Sequence, residues 1–126
     1  PFIMTRTGRM QLLKIYCLNA SGDHTFAKFE LNMLRKRNVF KEMNFDEMPT
    51  DPEAATEWLE DIIIDELAYE TGFEGQRWFD LMRVAMRRND PSYLADRVAQ
   101  KYPEESRERI RTILIDKANW YIPVFE

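Results

Sequence analysis

Between Ala55 and Leu67 the chain writes a single apolar face: Ala55, Trp58, Leu59, Ile62, Ile63 and Leu67 stand at i, i+3, i+4, i+7, i+8 and i+12. Only an α-helix gathers those positions, because 3.6 residues per turn returns every third or fourth side chain to the same side. Glu57, Glu60, Asp61 and Asp65 fill the remaining positions and are expected to face solvent. The start of this helix is marked as well. Thr50 or Asp51 can cap the first free amides, Pro52 suits the first turn, and Glu53 complements the positive end of the helix dipole. A helix with such a stripe needs partners to cover it, so the rest of the chain must supply them.

The flanking sequence supplies more helices. From Gly8 to Asn19, Leu12, Leu13, Ile15, Tyr16 and Leu18 give a rougher stripe, and Ser21-Gly22-Asp23 ends it. Phe26, Phe29, Leu31, Met33 and Leu34 then predict a second helix, so residues 1–41 form a helical hairpin around a glycine-containing turn. Residues 38–52 connect this hairpin to the acidic helix. Beyond it, Gly72 and Gly75 interrupt the pattern. Trp78, Leu81, Met82 and Ala85 resume it and end at Arg87-Arg88. Asn89-Asp90-Pro91 reads as a stop and a new start with Asp90 as cap. Leu94, Ala95, Val98, Ala99 and Tyr102 form another face, and Pro103 opens a helix carrying Ile110, Ile113 and Leu114. Asn119 to Phe125 is aromatic and β-branched with a proline, which predicts an extended tail. No strands alternate with these helices. The expected fold is all-α, a helical-hairpin (TPR-like) scaffold fragment over residues 1–126, with the hairpin at 1–41 and the later helices and tail at 42–126.

Charge is distributed unevenly along this frame. The net charge is −4, but residues 1–41 carry +6, residues 42–74 carry twelve acidic groups and no basic one, and residues 75–111 carry +3. Opposite segments packing as neighbours account for this. Nucleic-acid binding would want clustered cations with exposed aromatics, and only Arg35-Lys36-Arg37 clusters, so no nucleic-acid partner is expected. No stretch approaches the eighteen or more consecutive apolar residues that span a bilayer. The N-terminus has neither an initiator Met nor a signal-peptide pattern, so a fragment or processed chain is expected.

Few residues offer chemistry. Cys17 is the single cysteine and is expected to be a buried, inert thiol. His24 is the single histidine, explained by its place at a helix start, and no metal site or cofactor is expected. Glu70 and Glu74 could serve as the acid and base of a glycosidase. Their spacing to Arg77, and that of Asp80 to Arg77 and Arg83, favours a salt-bridge network bracing the Gly72–Gly75 bend. Trp58 and Trp78 fall on apolar faces and are expected in the core. Trp120 and Tyr121 have two readings, a platform for a sugar ring or a clamp holding the tail to the helices, and the clamp is preferred.

The residues around the bend carry a resemblance. Phe73-Glu74-Gly75-Gln76-Arg77-Trp78-Phe79-Asp80-Leu81, followed by Arg83, resembles the FEGxRWxDLxR signature of the SusD/RagB family. The preceding Ile62 to Glu70, including Glu66, resembles that family's acidic helix, and Asn119 to Pro123 resembles its NWYLP element. Leu18 to Gly22 with Phe26-Ala27 is similar, more loosely, to its first helical pair. In this chain Thr71-Gly72 stands where many relatives carry two apolar residues. Glycine there weakens a helix by about 0.5–1 kcal/mol relative to alanine, which predicts a sharper bend.

The resemblance implies the C-terminal helical portion of an outer-membrane lipoprotein of Bacteroidota, anchored by an N-terminal lipid absent from this chain. Such proteins sit over a SusC-like TonB-dependent transporter and capture oligosaccharides, in some branches peptides, without catalysis. It assigns the signature residues Glu66, Glu70, Glu74, Gly75, Arg77, Trp78, Asp80 and Arg83 a structural role and carries no ligand residue onto this chain. The alternative, from the residues alone, is a stand-alone helical adaptor that binds proteins through its first hairpin.

Overall fold

A computed structural model describes residues 7–72 and 74–121, and every regular element among them is helical. The chain divides into two compact units between Gly75 and Gln76.

The first unit holds α1 (Thr7–Ala20), α2 (His24–Arg37) and α3 (Pro52–Glu70). Helix α1 is the shared partner, packed against both α2 and α3. The core is Leu12 and Ile15 of α1, Ala27, Leu31 and Leu34 of α2, and Ala55, Leu59, Ile63, Ile64 and Leu67 of α3. Asp51 caps α3 by accepting from the Ala54 amide at 2.9 Å, with Pro52 in the first turn as the sequence predicts.

Helices α1 and α2 end in the same hydrogen-bond pattern, which needs one residue in the left-handed region. After α1 that residue is Gly22, at φ 85°, with the Asp23 amide reaching back to the Leu18 carbonyl at 3.0 Å. After α2 it is Val39, at φ 62°, with the Phe40 amide on the Arg35 carbonyl at 2.8 Å. A β-branched residue there is strained, since its Cβ crowds the following carbonyl.

Several expectations need correction. Cys17 is exposed, because the buried side of α1 runs through Gly8, Leu12, Ile15 and Asn19 and leaves position 17 off it. Glu60 is buried, not solvent-facing, since the Tyr16 hydroxyl donates to its Oε1 at 2.6 Å. Ile62 and Trp58 are only half-buried, while Ile64 is fully buried. Helix α3 is thus turned further toward α1 than its simplest stripe indicates. On α2, Phe26, Phe29 and Met33 lie on the exposed side. His24 is half-buried and its Nε2 meets the Thr56 hydroxyl at 2.9 Å, linking the start of α2 to α3.

The second unit holds α4 (Arg77–Arg87), α5 (Ser92–Ala99), α6 (Glu104–Ile115) and a 3-10 helix at Lys117–Trp120. Its core is Leu81, Val84, Ala85, Tyr93, Leu94, Ala95, Ala99, Leu114 and Trp120. The stop after α4 uses Asn89 at φ 51°, and the Asp90 carboxylate accepts the Ser92 amide at 3.0 Å. Arg111 reaches from α6 to Asp96 of α5 at 2.6 Å; that hydrogen bond and the carboxylate's charge raise the guanidinium pKa above its ordinary value. The expected extended tail begins later than the sequence indicates. Asn119 and Trp120 belong to the 3-10 helix, started by Asp116, whose side chain accepts the Ala118 amide at 3.0 Å, and Tyr121 is the first extended residue. The rest of the expected tail lies outside the described residues.

Candidate functional site

The connection between α2 and α3 makes a concave surface in the first unit. Residues 40–45 run back along α2 as a strap. Arg35 Nε donates to the Lys41 carbonyl at 2.9 Å, and Asn32 brackets Met43, accepting from its amide at 2.9 Å and donating to its carbonyl at 3.3 Å. Further along, Lys28 lies over the Phe45 ring at 5.7 Å. The opposite side of the strap meets α3, where Phe45 packs edge-on to Trp58 with ring centroids 6.4 Å apart. At the other end Phe40 tilts toward Tyr69 at 6.5 Å. Trp58 therefore seats the strap instead of filling the helical core.

Between strap and α3 lies a cleft of about 500 Å³ lined by Arg35, Phe40, Met43, Ile62, Asp65, Glu66 and Tyr69. Its floor carries an ion pair between Arg35 Nη1 and Glu66 Oε1, with the Glu66 side chain 7% exposed and that of Arg35 17% exposed. The Arg35 guanidinium also lies over the Phe40 ring at 5.7 Å. At the mouth, Phe40 and Tyr69 are exposed. Rings beside fixed polar groups are the usual composition of a small-ligand site.

The signature residues fall in both units. Glu66 forms the cleft floor. Glu70 lies against the first turn of α1, where a Cβ at Gly8 would fall on its carboxylate. That carboxylate thus sits at the positive end of α1 and ties the end of α3 to it. Helix α3 stops at Glu70, Thr71 closes it by donating its hydroxyl to the Leu67 carbonyl at 2.7 Å, and Gly72 lies in the turn that follows. Glu74 is exposed, and Gly75 takes φ 72°. In the second unit, Asp80 is buried and accepts from Arg83 at 3.1 Å. Arg77 and Trp78 line a smaller cleft of about 240 Å³ with Leu81, Val98, Lys101 and Tyr102. Trp78, expected in the core, is half-buried there.

Trp120 and Tyr121 differ in their surroundings. Trp120 is 4% exposed and its Nε1 donates to the Leu114 carbonyl at 2.7 Å, the geometry of a clamp with no ring face left over. Tyr121 is exposed. Nothing in the sequence marks Phe40 and Tyr69 as cleft residues, because the rings that meet lie 29 positions apart in the chain.

Among the described residues no group of His, Cys, Asp and Glu could hold a metal ion, and no helix is long and apolar enough to cross a membrane. The family model described as the SusD family matches residues 2–126. No curated protein and no solved structure matches the chain.

Proposed function

The chain belongs to the SusD family, a family of outer-membrane-associated, nutrient-binding lipoproteins that are generally not catalysts, and from that premise we propose that it is the C-terminal helical region of a surface lipoprotein that captures oligosaccharides for a SusC-like TonB-dependent transporter. The match over residues 2–126 carries this reading. The strap cleft supports it, since it offers rings and a hydrogen-bonding ion pair. Peptides are the other ligand class such a protein would take. The remaining signature residues serve as scaffold, and Tyr121 is the residue of the tail left for ligand contact.

Purification of the native protein from outer membranes tests this. Co-purification with a TonB-dependent transporter, together with loss of oligosaccharide uptake on deletion of the gene, is the expected result. Recovery without any transporter and with uptake unchanged would refute it. The adaptor alternative draws on one observation, the exposed Phe26, Phe29 and Met33 of α2, where Phe26 and Phe29 stack at 6.1 Å. It predicts that Phe29→Glu abolishes a protein complex while glycan binding is absent from the start.

A further inference from the structure

We propose that the strap cleft takes an uncharged pyranose, its vicinal hydroxyls bound by the Arg35–Glu66 pair and its C–H face laid on Tyr69. This rests on the nutrient-capture reading and adds to it a location, a ligand charge and the residues that select it.

The ion pair on the floor is only partly used. Glu66 Oε1 meets Arg35 Nη1, and Arg35 Nε is spent on the Lys41 carbonyl. A carboxylate accepts on both oxygens and a guanidinium carries five N–H donors. Among the described residues, neither Glu66 Oε2 nor Arg35 Nη2 makes a hydrogen bond, and both residues line the cleft. An acceptor beside a donor complements two adjacent hydroxyls, one donating to the carboxylate and its neighbour accepting from the guanidinium. A ligand with a negative charge fits worse, because it would face both Glu66 and Asp65.

The mouth supplies the other half of the recognition. Phe40 and Tyr69 are tilted by 46° at 6.5 Å, so they form an open wedge and do not close on each other. Tyr69 is 72% exposed, which leaves ring surface for a ligand. A pyranose has an apolar C–H face and a polar rim, which matches a ring set above a polar floor. The strap is already fixed by Asn32 and Arg35, so little ordering opposes binding. Asp65, at the rim of a segment with twelve acidic groups and no basic one, repels uronates.

Calorimetric titration of the full chain with cellohexaose, xylohexaose, mannohexaose and hexagalacturonate tests this. The expected result is that at least one neutral hexamer binds and outranks the uronate. Tyr69→Ala, at an exposed position, should weaken that neutral hexamer by about tenfold or more with an unchanged circular dichroism spectrum. Analogues of the neutral hexamer lacking one hydroxyl of a vicinal pair should weaken by a similar factor, because they leave the ion pair unsatisfied. Asp65→Asn should narrow the preference for neutral over uronate ligand. Neutral binding that survives Tyr69→Ala, a uronate bound as well as a neutral hexamer, or a preference unchanged by Asp65→Asn would overturn this inference and leave nutrient capture standing. Binding of none of the four would overturn this inference, whereas nutrient capture itself fails only if the protein is recovered without a transporter and uptake is unchanged.

Discussion

Arg35→Ala should be among the most damaging single substitutions in the first unit. It removes the guanidinium that pairs with Glu66, whose side chain is 7% exposed, so a carboxylate is left buried without its partner. Breaking a fully buried pair costs about 3–5 kcal/mol. The Arg35 side chain is itself 17% exposed, and alanine would open the cleft floor to water, which lowers the expected cost. Loss of the Nε bond to the Lys41 carbonyl adds about 1 kcal/mol and loosens the strap. The net expectation is about 3 kcal/mol, a large part of the roughly 5–15 kcal/mol that holds a domain of this size. Hydrogen exchange on peptides from α1, α2 and α3, with increasing urea, reads this unit apart from the second. The double variant Arg35→Met with Glu66→Met removes both charges and should return to within about 1 kcal/mol of the parent. A cost below about 1 kcal/mol for Arg35→Ala, or a double variant as damaged as the single one, would refute the account of the floor.

Three further outcomes follow from local geometry. Val39→Gly should stabilise the first unit by about 1 kcal/mol, because it relieves a β-branched residue at φ 62° that is 91% exposed, measured by urea unfolding; a loss of stability would show that Val39 packs on something. Gly8→Ala should displace the Glu70 carboxylate, so Glu70→Ala should cost less in that background than in the parent, by up to about 1 kcal/mol in a double-mutant cycle; equal costs would deny the link between them. Trp120→Phe should cost about 1–3 kcal/mol in thermal unfolding of the second unit, because the buried Leu114 carbonyl loses its donor; a neutral change would argue against the clamp.

Much of the helical frame was legible because its signals are local. Asp51-Pro52-Glu53 starts α3 where capping chemistry places it, and Asn89 ends α4 as a residue that tolerates the left-handed region should. The candidate site was less legible because it depends on contacts distant in sequence. Nothing periodic in residues 38–51 shows that Asn32 will hold Met43, or that Phe40 will reach Tyr69. The burial of Glu60 is illegible for the same reason, since the hydroxyl that makes it tolerable lies 44 residues away on α1. Val39 carries no turn signal at all, because the backbone conformation it adopts is one that its own chemistry disfavours.

The central claim is that this chain meets its nutrient in the cleft between strap and α3. Chemical-shift mapping with the tightest neutral hexamer tests it most directly, by following every backbone amide and the Tyr69 ring through a titration. The account predicts saturable shifts gathered at Phe40, Met43, Glu66 and Tyr69. Saturable shifts confined to other parts of the chain would contradict it.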